Sequence, residues 1–229
     1  MHNSIPIVSV ITINLNMEAG LSASLDSYTK QKNLNEYELI VIDGMSSDGS
    51  QEVINRNKSR IDKCIIEKDK GIFDAMNKGI KVAKGRYIYF LNSGDIFHDD
   101  FVLQNISQII KINNFKHNIY CGKVETYFGS KLIGFSNAGK YISHQGAFVK
   151  NDIMKKHLFD EKCIILGDLD LWKRIMLAGE YKIKKVDEII AKSDLGIGSL
   201  PSSFSIKLKD KIYLAKKHGE YLTSFLSII

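Results

Sequence analysis

At 229 residues, with 44% hydrophobic, 10% aromatic and 25% charged side chains and only two prolines, the chain has the composition of one folded globular unit, which excludes a disordered or collagen-like protein. A formal net charge of +6 suits nucleic acid, an acidic membrane surface or phosphorylated small substrates without choosing among them. Cys64, Cys121 and Cys163 are odd in number, far apart and without a CxxC pair, so neither a disulfide framework nor a zinc site is indicated, and a reducing cytoplasm fits best.

The first apolar run, "IPIVSVITI" from Ile5, has no basic flank and is too short to span a bilayer, so it reads as a strand and not as a leader or an anchor. Further β-branched runs follow: "YELIVID" from Tyr37, "CIIE" from Cys64 and "YIYFLN" from Tyr87. Between them lie helical spacings: Leu21, Leu25 and Tyr28; Val53 and Ile54; Ala75, Met76, Ile80 and Ala83. Continuous apolar strands alternating with amphipathic helices predict a mostly parallel, Rossmann-like α/β sheet with helices on both faces. Beyond Asn114 the pattern loosens into strand-like "NIYCGKVETYF" and "YISHQGAFVK", with no Pro-, Gly- or Ser-rich linker. One domain over 1–229 is therefore expected: a first half over 1–98, a smaller second subdomain over 99–200 on the same core, and a tail over 201–229. In that tail Phe204, Ile206, Leu208, Ile212, Leu214, Leu222, Phe225 and Leu226 alternate with Lys207, Lys209, Lys211, Lys216 and Lys217, as in one or two basic amphipathic helices.

Ligands of such sheets sit beyond the carboxyl ends of the strands, where the chain order reverses. Those ends carry Thr12 and Asn14, then Asp43, then Glu67 to Lys70, then "NSGD" over Asn92 to Asp95. No GxGxxG follows the first strand and no GxxxxGK[ST] occurs, which argues against ordinary dinucleotide binding and a P-loop. Asp48 in "SSDGSQ" reads as a helix cap with Gln51 as its reciprocal partner. Asp43 suits either a ligand contact or a carboxylate held by turn amides.

"VSVITINLN", "YELIVIDGMSSDGS" and "EKDKGIFDAMNKGIKVAKGRYIYFLNSGD", in that order, resemble the nucleotide-sugar half of glycosyltransferase family 2, which has the GT-A fold, and in particular its bacterial polysaccharide-biosynthesis branch. The resemblance covers the first hundred residues closely and the second half more thinly, at "HQGAFVK" and "GDLDLWKRI". It implies that Asp43 contacts the donor base, that Thr12 and Asn14 line the same pocket, and that Lys70, Asp74, Asn77 and Asn92 contact the donor. For Asp74 and Asn77 the residues alone equally suit helix capping and packing. Where the family carries a DxD-type cluster this chain has "NSGD", which leaves Asp95 to hold Mg²⁺ or Mn²⁺ with diphosphate oxygens and waters completing the shell. Asp168 matches the family's general base, although by itself it is also a good N-cap for "LDLWKRIML". His144, Gln145, Asp170 and Trp172 would lie on the acceptor side.

The resemblance implies an inverting glycosyltransferase that moves a sugar from a nucleotide-diphospho-sugar, a UDP-sugar first, to a saccharide or lipid-linked saccharide acceptor in capsule or O-antigen biosynthesis. The enzyme would be cytoplasmic, with the basic tail either touching the inner face of the membrane or packing on the domain. Two alternatives stand beside it: a sugar-phosphate nucleotidyltransferase, whose Gly-rich basic loop is absent after the first strand, and a non-catalytic nucleotide- or saccharide-binding relative. Nucleic acid is not an expected partner, because the lysines are dispersed and form no aromatic-basic platform.

Overall fold

A computed structural model describes residues 5–136, 142–195 and 204–219. In chain order the elements are β1 (Val8–Asn14), α1 (Glu18–Thr29), β2 (Tyr37–Asp43), α2 (Ser50–Arg56), β3 (Lys63–Ile66), α3 (Ile72–Val82), β4 (Tyr87–Phe90), β5 (Ile96–Phe97) and α4 (Val102–Ile112). There follow β6 (Ile119–Phe128), β7 (Lys131–Ser136), β8 (Ala147–Lys150), α5 (Asn151–His157), α6 (Gly167–Leu177), β9 (Ile183–Asp194) and α7 (Phe204–His218).

One nine-stranded sheet runs in the order β3-β2-β1-β4-β8-β6-β9-β5, with β7 hydrogen-bonded to β6. Its first four strands are parallel, and β8 joins β4 antiparallel, pairing Val149 with Ile88. Every residue of β1 and β2 is buried, because helices cover both faces, and this is why their sequences are apolar runs and not alternations. Ile11, Ile13, Ile40 and Ile42 pack with Phe73, Met76 and Ile80 of α3 on one face, while Val8, Val10, Leu39 and Val41 pack with Leu21, Leu25 and Tyr28 of α1 on the other. Each such side chain contributes roughly 1.5–3 kcal/mol relative to exposure. β3 is the edge of the sheet, which leaves Ile66 46% exposed despite its apolar sequence.

The chain steps from β1 outward to β3, then returns across β1 to β4. This reversal opens a crevice at the carboxyl ends of β1 and β4, where adjacent connections leave in opposite directions.

Two expectations are corrected. "YISHQGAFVK" is a strand only over Ala147–Lys150; His144–Gly146 is a 3₁₀ turn closed by Gly146 N–H to Ser143 O at 3.0 Å. The Asp48–Gln51 pair is not reciprocal: Asp48 accepts both Glu18 N–H at 2.9 Å and Ser50 N–H at 3.0 Å, tying two helix starts together, while Gln51 Nε2 donates to Ser46 O at 3.2 Å. In the basic tail, α7 buries Leu214 and Ala215 in the core together with Asp210 and Lys211, and Leu222, Phe225 and Leu226 lie outside the described residues. Among the described residues no helix is long and apolar enough to cross a membrane.

Candidate active site

The crevice floor is a polar hub around Asn14, the last residue of β1. Register places it beside Asp43, the last residue of β2. Asn14 Nδ2 donates to Asp43 Oδ1 at 2.7 Å, and its Oδ1 accepts the Ser93 hydroxyl at 2.8 Å, so one amide links the ends of β1 and β2 to the loop after β4. Asp43 also accepts Ser46 Oγ at 2.6 Å and Ser46 N–H at 2.9 Å, and it is fully buried. The Asp43 carboxylate thus shapes the turn after β2. Thr12 is likewise fully buried and lines no open surface.

The "NSGD" loop is built against α1. Ser24 Oγ accepts Gly94 N–H at 3.0 Å and lies 2.7 Å from Asp95 O, 2.9 Å from Gly20 O and 3.1 Å from Asn92 O, three carbonyls that compete for its one hydroxyl hydrogen. Gly94 has φ of +98°, a conformation that L side chains rarely adopt, which accounts for a glycine where a cluster of acids would place another side chain. A Cβ on Gly20 would stand 3.0 Å from Gly94 N, so α1 and the loop approach backbone to backbone. Asp95 is 7% exposed; burial pushes its carboxyl up to about 6, while Ser193, His144 and Gln145 pull it back.

The second half of the chain brings its groups to this loop. His144 Nδ1 lies 2.8 Å from Asp168 Oδ2, and its Nε2 lies 3.1 Å from Asn92 Nδ2. A carboxylate only accepts, so the ring hydrogen on Nδ1 belongs to the Asp168 bond. Burial pushes the His144 pKa down, but the Asp168 bond and the charges of Asp168 and Asp95 outweigh it, and the net shift is upward. Asp168 is not the cap of its helix. The residue preceding α6 is Leu166, no side chain caps the start, and Asp210 of α7 accepts the backbone N–H groups of Ile164, Ile165 and Leu166 at 2.7–3.0 Å. Asp210 thus ties down the segment leading into α6, and Asp168 is left for His144.

Asp170 and Trp172, expected on the acceptor side, are both buried. Asp170 is 1% exposed and receives Arg174 Nε at 2.7 Å, Lys217 Nζ at 2.7 Å and His218 Nε2 at 2.9 Å, which locks α6 to α7. Burial raises its pKa, yet these cations outweigh burial and hold it low. Trp172 is a core residue whose Nε1 donates to Ile142 O at 2.9 Å. Gln145 stays at the site, next to Asp95, with its backbone carbonyl held by Tyr89 OH at 2.8 Å.

Around α3 two expected site residues have partners within the protein. Asn77 is 2% exposed, donates to Phe159 O at 2.9 Å and accepts Phe159 N–H at 2.8 Å. Asp74 accepts Lys70 N–H at 2.9 Å and pairs with Lys78 at 3.4 Å. Burial raises its pKa, but these partners bring the net shift below the ordinary value. Both side chains bond within the protein, whereas Lys70 is exposed on the rim.

Several organising residues escaped the sequence reading. Ser24 had a signal: Gly20 and Ser24 stand one helical turn apart on the buried stripe with Leu21 and Leu25, a place where small residues mark close backbone approach. Lys78, held by Asp69 at 2.7 Å and Glu67 at 3.0 Å, was hidden among many lysines. Ser193 is far in sequence from Asp95, Asp210 is 44–46 residues from the backbone groups it holds, and neither carries a local signal.

Among the described residues no group of three or more His, Cys, Asp or Glu side chains could hold a metal ion. One buried carboxylate, Asp95, does not make a closed cation site; it fits a divalent cation only when a ligand brings further oxygens.

The sequence pattern of Glycosyl transferase family 2 matches residues 9–164, well over half of the chain. The chain belongs to that family. It is 39% identical over 108 residues to UDP-Glc:alpha-D-GlcNAc-diphosphoundecaprenol beta-1,3-glucosyltransferase WfgD of Escherichia coli, covering 47% of this chain and 42% of the relative. It is 32% identical over 108 residues to a PGL/p-HBAD biosynthesis glycosyltransferase of Mycobacterium tuberculosis, covering 46% of this chain and 42% of the relative. The chain thus spans less than half the length of these two curated relatives. The fold is GT-A: S. aureus TarS 1-349 in complex with UDP-GlcNAc superposes with a TM-score of 0.70 at 16% identity, over 91% of this chain and 66% of that one. Mannosyltransferase PcManGT from Pyrobaculum calidifontis, in complex with GDP-Man and Mn²⁺, gives 0.63 at 16% identity, over 83% and 57%.

Proposed function

We propose that this family member is an inverting glycosyltransferase that moves a sugar from a nucleotide-diphospho-sugar, a UDP-sugar first, to a hydroxyl of a saccharide or lipid-linked saccharide in surface polysaccharide synthesis. The observation that carries the reading is the His144–Asp168 contact at 2.8 Å, which brings an acid from α6 to the mouth of the "NSGD" loop and leaves it uninvolved in capping. The relatives' names support the donor and acceptor classes, since WfgD is named for UDP-Glc and a diphosphoundecaprenol-linked sugar and TarS is held with UDP-GlcNAc.

In this reading the acceptor oxygen attacks the anomeric carbon, the bond from that carbon to the diphosphate breaks, and its electron pair leaves with the nucleoside diphosphate. The acceptor proton passes to Asp168, which raises the nucleophilicity of the oxygen as the new bond forms. Asp95 would hold Mn²⁺ or Mg²⁺ together with the donor's diphosphate oxygens. Bound there, such a cation would stabilise charge on the leaving diphosphate. Lys70, exposed on the rim, would meet the same phosphates, and Asn14 would support the donor pocket through its hub.

The protein would work in the cytoplasm, and the exposed Lys209 and Lys216 of α7 would offer an electrostatic contact to an anionic inner leaflet, the apolar face of that helix being spent on the core. The functional test is calorimetric titration with UDP, GDP and dTDP, each with Mn²⁺ and with chelator, followed by UDP release from a UDP-sugar panel. Metal-dependent binding of UDP and turnover of one UDP-sugar is the expected result. Failure of every nucleotide to bind in either condition would overturn the reading.

A further inference from the structure

We propose that His144 is the positioning residue of the base: it grips one oxygen of Asp168, turns the other toward the acceptor hydroxyl, and registers the base against the donor loop through Asn92. The inference rests on the reading of Asp168 as base and specifies how that base is held.

Asp168 stands in the first turn of α6 and does not cap that helix. Among the described residues its carboxylate meets His144, Nδ1 on Oδ2 at 2.8 Å. Oδ1 is the oxygen left to accept a proton. His144 is in turn rooted: its 3₁₀ turn is closed by Gly146 N–H on Ser143 O at 3.0 Å, Tyr89 OH holds Gln145 O at 2.8 Å, and a Cβ on Gly146 would meet Gly122 O at 2.7 Å. The far ring nitrogen lies 3.1 Å from Asn92 Nδ2, and Asn92 opens the loop whose last residue is Asp95. One rigid ring therefore spans from the donor-side loop to the base, across 52 residues of sequence on one side and 24 on the other. A base misplaced by about 1 Å loses much of the advantage of proximity, of the order of a hundredfold. During transfer the acceptor proton goes to Oδ1, while the Nδ1 hydrogen of His144 stays where it is; the ring orients and is not consumed.

Two measurements test this. In the folded, ligand-free protein, ¹⁵N-histidine NMR should find the His144 hydrogen on Nδ1, and Asp168→Asn should shift that resonance. A ring protonated only on Nε2, or one indifferent to Asp168→Asn, would overturn the inference without any substrate. In turnover of a UDP-sugar, read as UDP released, His144→Ala should lower kcat about 10- to 100-fold while UDP affinity by calorimetry stays within twofold. His144→Asn, which keeps a donor near the Nδ1 position, should recover most of the loss. In an Asp168→Asn background His144→Ala should cost less than a further twofold, because a residue that acts only through Asp168 has nothing left to act on. A full independent loss in that background would assign His144 another role. Wild-type turnover in Asp168→Asn alone would instead remove the base reading itself.

Discussion

Asp95→Asn is expected to stabilise the protein while disabling it. The Asp95 carboxyl is 7% exposed, and burial pushes it from an ordinary 3.8 up to about 6. At 1.36 kcal/mol per pH unit, that difference costs the folded state about 3 kcal/mol once the group is ionised in both states. The sign follows from proton binding: the folded state holds the proton more tightly, so the destabilisation is absent below about pH 4, develops between pH 4 and 6, and is complete above. Asparagine is neutral throughout and retains hydrogen bonds to Ser193 and Gln145. Measured in chelator, the variant should be more stable than wild type by about 3 kcal/mol at pH 7.5 and by about 1 kcal/mol at pH 4.5. For a chain of this size those differences correspond to melting temperatures higher by about 6–12 °C and about 2–4 °C. Thermal unfolding followed by circular dichroism across that pH range reads them directly. Adding Mn²⁺ and UDP should raise the wild-type midpoint and leave that of the variant nearly unmoved. A stability difference that does not change with pH, or a variant less stable than wild type at pH 7.5, would refute the argument that Asp95 is held ionised at a cost for the sake of a ligand.

The remaining expectations concern the base, the loop and the strut behind α6. Asp168→Asn should lower turnover by roughly two orders of magnitude with UDP affinity unchanged by calorimetry; near-normal turnover would return Asp168 to a structural role. Gly94→Ala forces a side chain into φ of +98° and should cost about 1–3 kcal/mol of loop strain, weakening UDP binding about tenfold or more while the fold survives; unchanged affinity would show that the loop does not shape the donor site. Asp210→Ala removes the acceptor of three backbone N–H groups and should cost about 3 kcal/mol, seen as a melting midpoint lower by about 6–12 °C. A shift of only a degree or two would mean that water replaces the carboxylate. Lys209→Glu with Lys216→Glu should abolish salt-sensitive binding to anionic vesicles, and vesicle binding that survives the charge reversal would remove the membrane contact.

What could be read from the chain by itself was whatever local periodicity encodes. The four leading strands and three helices of the first half were legible because β1 and β2 are covered on both faces, so their apolar runs are continuous, and because α1 and α3 set an apolar stripe against them. The positions of Asp95 and Asp168 were legible as well, through motifs that resemble a family. The use of each side chain was not. Asp43, Asp74, Asn77, Asp170 and Trp172 are the residue types of a binding site, and tertiary structure spends each on a turn, a helix end or the core. Conversely Ser193 and Asp210 carry no local signal and Ser24 only its place beside Gly20 on a buried stripe, and they matter because folding sets them against "NSGD" and the segment before α6. A hydrogen bond depends on where two atoms lie within about 3 Å, and residues such as Asp168 and His144, or Asp210 and Ile165, acquire that relation only when the sheet and its helices close.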